Sequence, residues 1–295
     1  MISGAAPRHG ETVAALVAEA VHTLAPVTDS ARLDAEILLS HALGVSRAWL
    51  RTWPGRQVDS AARVGFRTLL ARRQRGEPLA YLIGEREFWS LSLCVTPATL
   101  IPRPETELLV DQALACIPVG AAWCIADLGT GSGAIALAIA SERRDCKIVA
   151  TDISEAALAV ARGNQTRLAI PNVAFRRADW FEGLDAQPFN LIVANPPYID
   201  DADPHLLRHG LPFEPRHALT PGADGLAAIR AIVRQAPRHM AEPGWLMLEH
   251  GLTQGGAVRA LFRASGYVQV NTVRDPGDRE RVTMARRPDA GRDVI

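Results

Sequence analysis

Apolar residues recur at helical spacing over the first quarter of the chain. From Glu11 to Leu24, the apolar Val13, Leu16, Val17, Ala20, Val21 and Leu24 keep to one helical face. A second helix is predicted to begin near Thr28-Asp29-Ser30, residue types that cap helices, and to run through Leu33, Ile37 and Leu38 to Gly44. A third covers Asp59 to Arg75. The period then changes. Arg86 to Val95 alternates apolar and polar residues in part and suits a hairpin. Further on, short apolar runs alternate with helical stretches. Strands are predicted at 123–128, 147–151, 173–178, 189–194, 244–249, 267–273 and 280–286, and helices at 105–116, 133–142, 154–168, 225–240 and 255–265. This alternation implies an α/β fold, a doubly wound and mainly parallel sheet.

Between the two patterns lies Thr99 to Glu107, Thr-Leu-Ile-Pro-Arg-Pro-Glu-Thr-Glu. Its prolines hold the backbone extended, and Pro104 with the following acids is a good helix start. The domain boundary is placed here. The expected organisation is a helical domain over 1–84, a hairpin and linker over 85–104, and the α/β domain over 105–295.

Bulk composition narrows the classes. In 295 residues, Lys+Arg and Asp+Glu balance at 32 each, so no global field draws nucleic acid or an anionic membrane. The basic residues are nearly all arginine, with Lys147 the only lysine. Arginines at 63, 67, 72, 73 and 75 make the third helix basic. We read it as a solvated face in preference to a docking surface for an acidic or ribonucleoprotein partner. The four cysteines, Cys94, Cys116, Cys124 and Cys146, form no Cys-x-x-Cys pair, which fits a reducing cytosol. Met1 to Gly10 lacks the basic-then-apolar pattern of a signal peptide, and no apolar stretch is long enough to span a bilayer. A cytoplasmic protein is expected. His205 and His209 stand four apart but lack a third ligand, and Gly210 follows at once, so no metal site is expected.

The candidate chemistry lies at predicted strand ends, where open α/β sheets bind ligands. Asn195-Pro196-Pro197-Tyr198 closes the apolar run Phe189 to Ala194. Two prolines fix φ twice and remove two backbone donors. What remains is a stiff rim of acceptors, the Asn195 side-chain oxygen and nearby carbonyls, beside the flat face of Tyr198. Such a rim suits a planar –NH2 group. Asp127-Leu128-Gly129-Thr130-Gly131-Ser132-Gly133 follows the first predicted strand, and its glycines let the backbone turn tightly against a ligand. Alone this loop is ambiguous, because Gly129-x-Gly131-x-x-Ala134 also satisfies a dinucleotide fingerprint. Asp152 ends the second strand, where an acid can accept from ribose hydroxyls. Asp179-Trp180 ends the third, offering an acceptor for an exocyclic amine and a plate for adenine. Hydride transfer would want a His, Lys or Tyr proton-transfer residue at the fourth strand end. Acceptors for an amine-like nitrogen stand there instead, which favours methyl transfer from S-adenosyl-L-methionine.

The glycine loop together with Asn195-Pro196-Pro197-Tyr198 resembles the class I methyltransferases that modify amide or exocyclic amine nitrogens. Three further stretches narrow the resemblance: Ile101-Pro102-Arg103-Pro104-Glu105-Thr106-Glu107; Phe213-Glu214-Pro215-Arg216-His217-Ala218-Leu219 with Gly222-Ala223-Asp224-Gly225-Leu226; and Asp275-Pro276-Gly277-Asp278-Arg279-Glu280-Arg281-Val282-Thr283. All are similar to the peptide chain release factor N5-glutamine methyltransferases. The resemblance implies a seven-stranded Rossmann-like methyltransferase domain with its last strand antiparallel, joined by a β-hairpin to a small N-terminal helical domain. It also implies methylation of N5 of the glutamine in the Gly-Gly-Gln motif of class 1 release factors, with S-adenosyl-L-homocysteine as product.

On this reading Gly129, Thr130, Gly131, Ser132, Gly133, Asp152, Asp179, Trp180 and Asn195 bind the cofactor. Asn195, Pro196, Pro197 and Tyr198 take the substrate, with Asn195, Pro196 and Tyr198 acting in catalysis. The Asn195 side-chain oxygen and the Pro196 carbonyl would hold the amide hydrogens. Tyr198 would pack on the amide plane or near the sulfonium. Arg103 and Glu105 either border cofactor or substrate or, since Pro104-Glu105 is equally explained as a helix start, shape the entry to that helix, while Glu249-His250 at the fifth strand end has no named partner. The alternatives are an adenine-N6 methyltransferase acting on DNA or RNA, a non-catalytic ribosome- or factor-binding protein that retains the cofactor, and a nicotinamide oxidoreductase. The balanced charge and the small extra domain argue against strong nucleic-acid binding.

Overall fold

The computed structural model describes residues 11–184, 188–208 and 210–288; Met1 to Gly10 and His209 lie outside these described residues. The chain divides into two compact units, Met1–Gly84 and Glu85–Ile295.

The first unit is helical. It comprises α1 (Val13–Leu24), α2 (Ala31–Leu43), α3 (Arg47–Thr52), α4 (Ser60–Gln74) and α5 (Leu79–Ile83). Local chemistry sets the helix ends. The side chains of Thr12, Ser46 and Asp59 accept from Ala15, Trp49 and Asp59's third successor Ala62, and so cap α1, α3 and α4. The predicted apolar stripe of α1 is the buried one, with Val13, Leu16, Ala20 and Leu24 packed against Leu38, Leu39, Phe66 and Leu70. The short α3 and α5 were absent from the periodicity, since five or six residues hold too few turns to show it. The arginines of α4 are mostly paired rather than simply solvated. Arg67 donates to Glu11 at 2.5 Å, Arg73 to Asp34 at 2.8 Å and Arg72 to Glu77 at 2.8 Å.

The second unit opens with a hairpin of β1 (Glu85–Phe88) and β2 (Leu91–Cys94), turned at Trp89 and Ser90, both with positive φ. The hairpin belongs to the sheet unit rather than to a linker. Phe88 and Leu93 enter its core, and Asn164 clamps Cys94 through two hydrogen bonds of 2.7 and 3.0 Å. After a 3₁₀ turn at Pro104–Thr106 come α6 (Glu107–Cys116), β3 (Cys124–Leu128), α7 (Ala134–Glu142), β4 (Lys147–Asp152), α8 (Glu155–Leu168), β5 (Val173–Arg177) and β6 (Phe189–Ala194). The chain continues through α9 (Ala227–Gln235), β7 (Met240–Glu249), α10 (Gly255–Ala264), β8 (Val268–Arg274) and β9 (Glu280–Arg286).

The seven strands lie in the order β5-β4-β3-β6-β7-β9-β8, parallel from β5 to β7, with β9 antiparallel to both its neighbours. The helix predicted over 225–240 is shorter than expected. It ends at Gln235, a 3₁₀ turn follows at Ala236–Arg238, and Met240 already opens β7, paired with Phe189. Pro237 cannot continue the helical hydrogen bonding. Every residue from Ala134 to Ala140 is buried, so α7 is apolar all round and forms a central layer against the sheet. Because β3 is flanked by β4 on one side and β6 on the other, the strand order reverses there, and a crevice opens at the carboxyl ends of these strands.

Candidate active site

A cavity of about 450 Å³ occupies that crevice. Gly129 and Gly131 line it from the loop after β3, Asp152 from the end of β4, Asp179 and Trp180 from beyond β5, and Asn195 and Pro197 from beyond β6. A smaller cavity of about 90 Å³ lies beside it, walled by Asn195, Pro196, Pro197 and Tyr198 together with Arg103 and Leu211. Asn195 and Pro197 line both. Tyr198 faces only the smaller one. Thr130, Ser132 and Gly133 are off both linings and form the frame behind them.

Backbone N–H groups of the glycine loop tie it to the end of β4. Thr130 N–H donates to the Thr151 carbonyl at 2.8 Å, and Gly131 N–H to Asp152 Oδ2 at 2.9 Å. Asp152 Oδ1 accepts from Ser154 N–H at 2.9 Å. Each carboxylate oxygen therefore spends one acceptor site on the frame and keeps another for a ligand. Gly129 has a φ of 72°, and a Cβ there would stand 3.4 Å from the Trp180 ring. Gly133, at φ 84°, packs so closely that a Cβ would come within 3.0 Å of Leu137 and 3.3 Å of Ala161. Behind the loop, Asp127 is fully buried; its Oδ2 accepts from the Thr130 hydroxyl at 2.6 Å and from Ala136 N–H in the first turn of α7 at 3.2 Å. Burial pushes its carboxyl up to about 7.

The opposite edge is held by side chains. Asn195 Nδ2 donates to the Thr106 hydroxyl at 3.1 Å, so the amide nitrogen is engaged and Oδ1 is the end left to accept. The Tyr198 hydroxyl donates to Glu249 Oε1 at 3.2 Å, and the Tyr198 carbonyl accepts from Gln254 at 3.0 Å. Burial and the neighbouring Glu249 raise the Tyr198 hydroxyl well above its ordinary range, which keeps it protonated and unfit as a base. His250 turns away from both cavities. Its Nε2 meets the Thr283 hydroxyl at 2.9 Å, and burial lowers its pKa, so it is a neutral structural group. The exposed His205 contacts Asp203 at 2.7 Å.

The three stretches flanking the loop motifs converge here. Buried Glu214 accepts from Ile101 N–H at 3.0 Å and pairs with Arg103, tying 213–219 to 101–107. Glu105 lies 3.9 Å from Arg281 and 4.0 Å from Arg279, both of which Asp275 also holds. Sequence reasoning missed Thr106 and left Glu249 without a partner. Each reads as an ordinary helix-start or strand-end residue until the fold brings it to Asn195 and Tyr198.

The family described as "PrmC N-terminal domain" matches residues 15–84, and "Methyltransferase small domain" matches 106–224. A methyltransferase from Pyrococcus furiosus shares the fold at a TM-score of 0.53 and 17% identity, over 74% of this chain and 97% of that one. A release factor glutamine methyltransferase of Pseudomonas aeruginosa is 52% identical over 88% of this chain and 94% of its own. The Escherichia coli (strain K12) protein of the same name is 49% identical over 88% and 93%. Identity at this level, sustained over nearly the whole of both chains, places this chain in the release factor glutamine methyltransferase family.

Proposed function

We propose that the protein transfers a methyl group from S-adenosyl-L-methionine to N5 of the glutamine in the Gly-Gly-Gln motif of class 1 release factors. The observation that carries this reading is Asn195. It stands where the two cavities meet, with its amide nitrogen tied to Thr106 and its oxygen free to accept.

The large cavity fits the cofactor. The free acceptor sites of Asp152 suit a ribose diol, the Trp180 ring beside the bare backbone of Gly129 suits a flat base, and the exposed Asp179 carboxylate can accept from an exocyclic amine. When bound there, the sulfonium supplies an activated methyl. The small cavity then takes the glutamine amide. An amide nitrogen is a poor nucleophile, because its lone pair is delocalised into the carbonyl. Asn195 Oδ1 and the Pro196 carbonyl hold its two hydrogens and aim the lone pair at the large cavity. Asn cannot act as a base and none is needed before attack, since the methylated amide cation sheds its proton readily. Positioning of this kind contributes up to about 7–11 kcal/mol. The Tyr198 ring walls the small cavity and shields the reacting amide from water.

The test incubates the protein with S-adenosyl-L-methionine and an intact release factor, followed by peptide mass spectrometry. One added methyl on the Gly-Gly-Gln glutamine, absent with Asn195→Ala, is expected. Transfer to DNA or RNA adenine instead would keep the fold and cofactor and overturn the substrate. Among the described residues no helix is long and apolar enough to cross a membrane.

A further inference from the structure

Glu249 is 1% exposed at the carboxyl end of β7, a position where a charged side chain is costly unless it is used. The groups around it form a chain of donors and acceptors. Asn195 Nδ2 donates to the Thr106 hydroxyl, which has one proton of its own left to give. The Tyr198 hydroxyl donates to Oε1 of the Glu249 carboxyl, while the buried Oε2 has no hydrogen-bond partner among the described residues. The Thr106 hydroxyl stands beside this carboxyl with its proton unspent, so one hydroxyl already donates to Glu249 and a second is within reach of it.

We propose that Glu249 is a positioning residue for Asn195: through Thr106 it dictates which end of the Asn195 amide faces the substrate, and through Tyr198 it anchors the wall of the small cavity. The inference rests on the reading of Asn195 as the amide acceptor. Its logic is one of hydrogen-bond polarity. With Glu249 ionised, Thr106 donates to it and must accept from Asn195, which leaves Oδ1 for the substrate. With Glu249 protonated, the carboxyl proton can go to the Thr106 oxygen, whose own proton then turns to Asn195. The Asn195 amide follows by turning Oδ1 inward, and its –NH2 meets the substrate –NH2, donor against donor.

The switch lies in an accessible range. Burial pushes the Glu249 carboxyl up to about 7, against the opposing pull of the Thr106 and Tyr198 hydroxyls and of Arg281 from β9. Glu105, in the turn before α6, pushes it up further, while Arg103 adds positive charge near Tyr198. The adjacent His250 is neutral and engaged with Thr283.

The experiment compares wild type, Thr106→Val, Thr106→Ser and Glu249→Gln. It measures kcat and KM for an intact release factor, calorimetric affinity for S-adenosyl-L-methionine, and the pH profile of kcat from about pH 6 to about pH 9. Thr106→Val is expected to lower kcat by about 30-fold or more with cofactor affinity within about threefold, and Thr106→Ser to restore most of it. Wild-type kcat should rise with pH through a midpoint near the Glu249 value of about 7, and Glu249→Gln should lose that limb. Near-wild-type kcat in Thr106→Val, or an unchanged acid limb in Glu249→Gln, overturns the proposal. A second readout separates this from failure of the functional reading. If the wild type methylates no release factor, the functional reading has failed, but the NMR shift of the Asn195 side-chain amide still decides the positioning. A pH-dependent shift that vanishes in Glu249→Gln supports it, and a pH-invariant one overturns it.

Discussion

The carboxyl edge of the sheet is assembled in two different ways. On the β3–β5 side, most donors are backbone N–H groups: Thr130 N–H bonds to the Thr151 carbonyl, Gly131 N–H to the Asp152 carboxylate, and glycines turn where side chains would collide. On the β6–β7 side, the polar links join side chain to side chain, from Asn195 to Thr106 and from Tyr198 to Glu249. On the function proposed above, the first edge grips the cofactor with fixed dipoles and one carboxylate, and the second presents the Asn195 oxygen and the Pro196 carbonyl to a weak nucleophile, so the polarity of each hydrogen bond matters. A backbone N–H has one fixed polarity, whereas a hydroxyl or a carboxyl changes its role with its proton.

Five substitutions test this contrast. The largest effect is expected from Asn195→Ala, which removes the acceptor at the side-chain edge; kcat should fall by about 10²–10³-fold while cofactor affinity, read by calorimetry, changes by less than about threefold. Equal collapse of both would move Asn195 to the cofactor edge. Asp152→Asn should do the reverse. Losing a charged hydrogen bond of about 1.5–3 kcal/mol raises the cofactor Kd by about 10–100-fold with little change in kcat. Unchanged binding would remove Asp152 from the ligand.

Gly133→Ala probes the frame alone. Its left-handed backbone and the 3.0 Å approach to Leu137 should cost about 1–2 kcal/mol of stability, seen as a lower urea midpoint. A wild-type midpoint would mean that the loop relaxes freely. The smallest effect is the pH dependence of stability. Asp127 and Glu249 both titrate near 7 in the folded protein because they are buried, well above their ordinary values. Raised carboxyls favour the folded state while protonated, so their contribution is present below about pH 4 and is lost as pH rises through about 7. Asp127→Asn and Glu249→Gln should each flatten the fall in urea midpoint between about pH 5 and about pH 8. An unchanged slope in Glu249→Gln would show that its carboxyl is not held up by burial. For Glu249 the ionised form needed to orient Asn195 is the form that burial disfavours, a trade of stability for function.

Much of this was legible in the chain. The alternation of short apolar runs with helical stretches exposed the sheet, because buried parallel strands and amphipathic helices have different periods. The glycine loop and the Asn-Pro-Pro-Tyr segment stood out because each is contiguous, with local chemistry that few other structures require. The helix expected to reach residue 240 stopped at Gln235, because the pairing of Met240 with Phe189 is decided across the sheet and not along the chain. The short α3 and α5 left no period to read. Thr106 resembled a residue of a helix start, and Glu249 the polar end of a strand.

What the amino-acid order determined by itself was therefore the fold class and the strand ends that carry the glycine loop and the Asn-Pro-Pro-Tyr segment. Only the tertiary structure decided which end of Asn195 faces the small cavity. The partners that settle it lie 89 residues away at Thr106, and Glu249 stands 51 residues from Tyr198. Hydrogen-bond direction belongs to a pair of groups and to the protonation state of a third, and none of these is a property of one position in the chain.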